Sequence, residues 1–227
     1  MSYSYQKGFS WPFALFGLVV IVILGGVFTP FIFSRGRPHN RANAIYNAKV
    51  IAGGLSIFRS EYGSYPCDAT RKILEERGAD NLPHGTSANA YLAQLIVDFV
   101  DSEIYFYTPA VEGIRKGDDE MTPGRLLEKG ENGFAYIMAE DGESLNFDRG
   151  DTPLVIAPIK RAGTHPVLDR EAYDGKYVYG TAEGSARMGN IDDDGTALSE
   201  GRAHLFEGGR DSLFGNQTPV IKYPLGF

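Results

Sequence analysis

Asn190-Ile191-Asp192-Asp193-Asp194-Gly195 is the stretch whose residue types and spacing come nearest to a ligating site. Oxygen-bearing side chains alternate at Asn190, Asp192 and Asp194, and a glycine follows, as in the first half of a calcium loop. Three such groups around one loop would hold a hard cation, calcium before magnesium. The place where such a loop needs a closing bidentate glutamate is Gly201, and Glu200 stands one residue out of register. A solvated acidic turn after a strand uses the same residues, and the missing carboxylate favours that reading over the metal site.

Other chemistry is thinner. His39, His84, His165 and His204 are scattered, and none sits in the His-Glu-x-x-His spacing that puts two imidazoles on one helix face. There is no Gly-x-Ser-x-Gly elbow and no phosphate loop. Asp118-Asp119-Glu120 forms a carboxylate run, but Arg115 and Lys116 beside it point to solvated charge in a loop. Cys67 is the single cysteine and has no basic neighbour to make it a thiolate, so a structural or surface thiol is expected. Tyr105-Phe106-Tyr107 with Tyr177 and Tyr179 offers an aromatic face for glycan or protein, against alternation through a sheet core, which is the simpler reading. No reaction is implied. A net charge of −7 gives nucleic-acid binding no support.

The elements that would carry these residues begin with Trp11 to Phe33, an uncharged segment with Val19-Val20-Ile21-Val22-Ile23-Leu24 at its centre. A helix rises ~1.5 Å per residue and a bilayer core is ~30 Å thick, so this segment is long enough to span. A cleaved signal would be shorter and end in a small-x-small site, whereas this run ends in Thr-Pro-Phe-Ile-Phe-Ser. A buried core helix would carry polar residues on one face. We divide the chain into a leader-like segment at 1–8, a transmembrane helix at 9–34 and one globular domain at 35–227. Arg35, Arg37 and Arg41 mark the headgroup zone. With Lys7 alone on the other side, a charge count puts the domain in the cytoplasm.

Beyond the span, Ile45, Ala48, Ala52, Leu55, Phe58 and Tyr62 recur every three or four residues and predict a helix over 41–62. Asn40 is its expected N-cap, and Gly63 followed by Pro66 its stop. Gly53-Gly54 costs propensity, roughly 1 kcal/mol per glycine, and predicts close approach of another element. A short polar helix is expected within 68–78 and an amphipathic one over 88–99, capped by Ser87. Residues 108–124 read as an exposed loop. Strand propensity then takes over at 134–138, 154–159 and 176–181, with a hairpin turn at Glu183-Gly184 into 185–188 and a last strand at 219–223. Helices first and strands last predict an α+β domain: a long N-terminal helical spine, transmembrane then amphipathic, packed on a C-terminal antiparallel β-sheet.

Three places in this plan resemble the type IV pilin superfamily, nearest the pseudopilins of type II secretion systems. Lys7-Gly8-Phe9-Ser10 is similar to the prepilin-peptidase site before an apolar helix. Pro30 lies where pilins commonly carry a bending proline. Phe58-Arg59-Ser60-Glu61-Tyr62-Gly63-Ser64-Tyr65-Pro66 resembles the aromatic, polar, Tyr-Pro helix ending of major pseudopilins. Glu131-Asn132-Gly133-Phe134-Ala135-Tyr136, Pro153-Leu154-Val155 and Glu183-Gly184-Ser185 resemble later segments of a bacterial subgroup. The resemblance implies cleavage between Gly8 and Phe9 and a pilin-like head on the outer side of the inner membrane, opposite to the charge count. It also implies packing of helices with other subunits and with secretion or pilus assembly proteins. Because major pseudopilins often bind calcium in a C-terminal loop, it raises the standing of Asn190, Asp192 and Asp194 as ligands. One departure stands out. Pilins usually carry a glutamate four residues after the cleavage-site Phe, where a buried carboxylate sets register by pairing with a neighbour's amine. Here that position is Phe13, and no acidic residue replaces it before Glu61. A tip-located pseudopilin class also lacks this glutamate. Phe13 equally suits a non-polymerising single-span protein whose head acts as a binding or adaptor module.

Overall fold

A computed structural model describes residues 38–139, 149–163, 165–199, 204–207, 212–214 and 217–226. The expected span lies outside them, as do Gly8, Phe9, Phe13 and Pro30. No helix among the described residues is long and apolar enough to cross a membrane.

Helix α1 covers residues 38–62. It is already formed at Pro38, so Asn40 lies within it rather than capping it; the fixed φ of a proline suits an early helical turn. Ala44, Ala48, Ile51, Ala52, Leu55 and Phe58 form one fully buried face, and Ile45 is partly buried against the same core. Gly63 ends the helix at φ +75°, its N–H donating to the Arg59 carbonyl at 2.9 Å. Tyr65-Pro66 then fastens the end. The Tyr65 hydroxyl donates to the Ala182 carbonyl at 3.3 Å, and the Pro66 carbonyl accepts from the Tyr136 hydroxyl at 3.0 Å.

Helix α2, Asp68–Glu76, follows at once, and the buried Cys67 precedes it with its N–H bound to Thr70 Oγ1 at 2.9 Å. The helix expected over 88–99 is two short ones, α3 (Ala88–Leu92) and α4 (Gln94–Asp98). Ser87 caps the first, as expected, by accepting from the Ala90 N–H. The division falls at Ala93, whose N–H still donates to the Asn89 carbonyl while its own carbonyl accepts from the Ile96 N–H at 3.0 Å, a tightened 3₁₀-type step. Asn89 and Gln94 are fully buried, and their amides reach Leu127 and Glu128 carbonyls in one case and the Cys67 carbonyl and Thr70 hydroxyl in the other. With polar groups satisfied by the protein, the segment is enclosed on both sides instead of lying amphipathically on a surface. A 3₁₀ turn at Glu103–Phe106, not foreseen, leads into the long loop.

The remaining chain builds an antiparallel sheet from β1 (Ala135–Ala139), β2 (Pro153–Ala157), β5 (Lys176–Thr181), β6 (Ala186–Ile191), β7 (Ala197–Leu198) and β8 (Pro219–Lys222). Their order is β7-β6-β5-β2-β1-β8, so the last strand closes the edge beside the first. The run expected at 154–159 breaks at Pro158, which has no N–H for the ladder. Ile159 moves into β3 (Ile159–Arg161), which pairs with β4 (Val167–Leu168) in a separate two-stranded sheet. The expected hairpin stands: Thr181 N–H donates to the Ser185 carbonyl at 2.8 Å, and Gly184 turns at φ +82°. The domain is α+β, with α1 against the sheet. At Gly180 of β5 a Cβ would lie 2.9 Å from both the Ala48 carbonyl and the Ala52 methyl, so the glycine is what lets strand and helix touch.

Candidate functional site

Helix α1 has a second apolar row opposite its buried one. Tyr46, Val50, Gly53 and Ile57 follow a four-three-four spacing, which keeps residues on one side of a helix at ~100° per residue. Tyr46 is 59% exposed and Ile57 56% exposed, while Val50 and Gly53 are half-buried. The two adjacent glycines serve opposite sides. A Cβ on Gly54 would meet Val100 Cγ2 at 2.9 Å, the close approach expected of this pair, whereas a Cβ on Gly53 meets nothing within 4 Å. The Gly53 position is therefore a shallow notch in a surface row flanked by Tyr46 and Ile57. Its spacing is that of a seam between packed helices. In the sequence this row is masked because Ile45 and Ala48 already supply one apolar face. The signal was there in a second apolar series offset from the first.

Of the residues proposed as calcium ligands, Asn190 lies in β6 and Asp192 and Asp194 in the β6–β7 turn. The Asp192 N–H donates to the Thr196 carbonyl at 2.9 Å, the Gly195 N–H returns to the Asp192 carbonyl at 3.0 Å, and Gly195 adopts φ +89°. Asp192 Oδ1 accepts from the Asp193 N–H and Asp194 Oδ1 from the Thr196 N–H, the local bonding of an acidic turn. That bonding, first from Thr196, holds the Asp194 carboxyl below its ordinary pKa. Asn190 Oδ1 accepts from the Lys176 ammonium across the β5–β6 pair, and Asp193 pairs with Arg170. The acidic run is thus engaged with backbone donors and two cationic side chains.

The four histidines do not converge. His39 meets Asn43, His84 lies 3.9 Å from Glu75, His204 lies 3.9 Å from Glu207, and His165 stacks on Phe206. Tyr177 and Tyr179 are core residues at 1% and 5% exposure, with Tyr177 laid over Gly189 and bonded to the Leu198 carbonyl, so the sheet-core reading of these two holds.

A carboxylate cluster lies elsewhere, around the loop read as solvated charge. Asp119 binds the start of the 3₁₀ turn, accepting from the Ser102 hydroxyl at 2.8 Å and the Glu103 N–H at 2.7 Å. Glu103, fully buried, returns the contact: one oxygen accepts from the Asp119 N–H at 3.0 Å and the other from the Leu127 N–H. Glu131, also fully buried, accepts from the Glu128 N–H at 2.7 Å through Oε2. Nη2 of Arg115 lies 2.9 Å from Glu131 Oε1, but its hydrogen bond goes to Glu128, and Oε1 accepts none. Burial pushes the pKa of both glutamates up, against the backbone donors that pull it down. Asp118 stands at the rim, paired with Arg125 at 3.3 Å. Oxygens of Glu103, Asp118 and Glu131 lie within 4.8 Å of one another. No protein-family profile, curated protein or solved structure matches the chain.

Proposed function

We propose that this chain is a membrane-anchored pilin-like subunit, similar to the pseudopilins of type II secretion, with a mechanical and associative role and no catalytic one. In this reading Trp11–Phe33 crosses the inner membrane and the head faces outward. Subunits pack through their N-terminal helices into a short filament or tip assembly of a secretion or pilus machine. The observation that carries it is the exposed row Tyr46, Val50, Gly53 and Ile57 on α1, with the opposite face sealed into the sheet. A helix that buries one face in its own domain and leaves an apolar notched row on the other has a surface for a second helix. The fastening of α1 through Tyr65 and Pro66 to Ala182 and Tyr136 supports the resemblance at the segment where it is most specific.

Cross-linking of intact cells tests the reading. A ladder of homo-oligomers is the expected result. Monomers alone, or one hetero-adduct, would instead favour a single-span binding or adaptor module, the reading that Phe13 in place of glutamate supports. Mass spectrometry of the native N-terminus adds an independent check. Polymerisation by the pilin route predicts a mature chain starting at Phe9, and an intact Met1 or Ser2 terminus favours the module.

A further inference from the structure

We propose that the cleft between α2, α4 and the 121–126 loop binds a free α-amino acid with an apolar side chain of leucine, methionine or phenylalanine size. The cleft has a volume of about 410 Å³, in the range of small-molecule pockets. Its inner wall is apolar: Leu74, Ile96 and Leu126 line it and are buried, and Met121 stands at the lip, 37% exposed. The lip is tied down, because Asn81 Nδ2 donates to the Met121 carbonyl at 2.8 Å. Gly78, just past the end of α2 at φ +97°, also lines the cleft, and nothing lies within 4 Å of where its Cβ would stand.

Two opposite charges line the same space, Arg77 from the end of α2 and Asp98 from the end of α4. Among the described residues neither makes an ion pair. Both meet the Tyr62 hydroxyl instead, which accepts from Arg77 Nη1 at 3.3 Å and donates to Asp98 Oδ2 at 2.9 Å. The guanidinium also lies over the Tyr62 ring, 5.0 Å from its centroid. That ring is itself held, 4.6 Å from Phe58 and 6.1 Å from Phe99 between centroids. The link uses one guanidinium donor and one Asp98 oxygen, which leaves further donors and the second oxygen for a ligand. Because one phenol oxygen holds both charged heads, a ligand that answers both must carry its own charges close together. The carboxylate and ammonium on a single α-carbon do so; the two ends of a peptide do not. The carboxylate takes the guanidinium, the ammonium takes Asp98, and the side chain fills the apolar part of the cleft.

This site does not depend on the exposed row of α1, and its test reads binding rather than oligomers. Full-length protein in detergent is titrated calorimetrically with L-leucine, L-methionine and L-phenylalanine. At least one of them should bind with a Kd below about 1 mM. Glycine lacks the side chain, leucinol the carboxylate and N-acetyl-L-leucine the ammonium, and each should bind at least about tenfold more weakly than the best of the three. Asp98→Asn keeps an acceptor for Tyr62 but removes the charge, and Arg77→Gln removes the cation. Each should weaken binding at least about tenfold, in protein whose melting without ligand shows it folded. The site is overturned if none of the three amino acids binds, if leucinol or N-acetyl-L-leucine binds as tightly as leucine, or if binding survives both substitutions.

Discussion

The two faces of α1 are made from similar residues and are put to different uses. On one side Ala48, Ile51, Leu55 and Phe58 are wholly removed from water, Phe58 standing edge-on to Phe99 at 5.7 Å between ring centroids. On the other, Tyr46 and Ile57 are left mostly in water around Gly53. Hydrophobicity alone does not separate these rows. What separates them is how fully the chain itself covers them: the sheet seals the first row, through Gly180, whereas in the second row only Val50 packs against the core and the hairpin at Gly184 nears Gly53, leaving Ile57 and Tyr46, tilted toward Tyr105, mostly in water. The first row therefore belongs to stability, and the second is the surface the proposed association would use.

The largest effect should come from the buried row. Phe58→Ala removes a fully buried ring and should cost about 3–5 kcal/mol, read by urea or thermal unfolding. Loss below about 1 kcal/mol would mean the helix is not held by this face. Gly54→Val comes next. Its Cβ would start 2.9 Å from Val100 Cγ2 and the branch adds more, so a loss of about 1–3 kcal/mol is expected. Gly53→Ala should do the reverse. With open space around its Cβ and a helical backbone, alanine should stabilise the fold by up to about 1 kcal/mol. The two neighbours thus give effects of opposite sign, and a loss at both would erase the distinction between the faces. Smallest in the monomer is Tyr46→Ser with Ile57→Ser, expected to change unfolding by no more than about 0.5 kcal/mol per site while removing homo-oligomers from cross-linked cells.

Much of this arrangement was legible along the chain because its causes are local. Gly63 and Pro66 end α1, Glu183-Gly184 turns the hairpin, and Ser87 caps α3, each through contacts within a few residues. The order of helices and strands, and so the α+β class, follows from periodicity of the same short range. What escaped depended on distant partners. The burial of 88–96 on both sides rests on Asn89 reaching Leu127 and on Gln94 reaching Cys67. Glu103 and Glu131 look like ordinary surface acids until Leu127, Asp119 and Glu128 bring backbone donors to them. At Asn190–Gly195 ligand-like spacing is also the grammar of an acidic turn, and the hydrogen bonds of Asp192 and Asp194 follow that grammar.

The central claim is that subunits meet along the exposed row of α1, and cysteines placed on that row test it most directly. In a Cys67→Ser background, which removes the single native thiol, Tyr46→Cys and Ile57→Cys together put two reactive groups on the outer face. Oxidation of intact cells should then yield a ladder of disulfide-linked homo-oligomers, which the single variants reduce to a dimer and which Lys72→Cys with Glu76→Cys, exposed positions on α2, fails to reproduce. Only monomer from the Tyr46/Ile57 pair, in protein that folds and reaches the membrane normally, would contradict the claim.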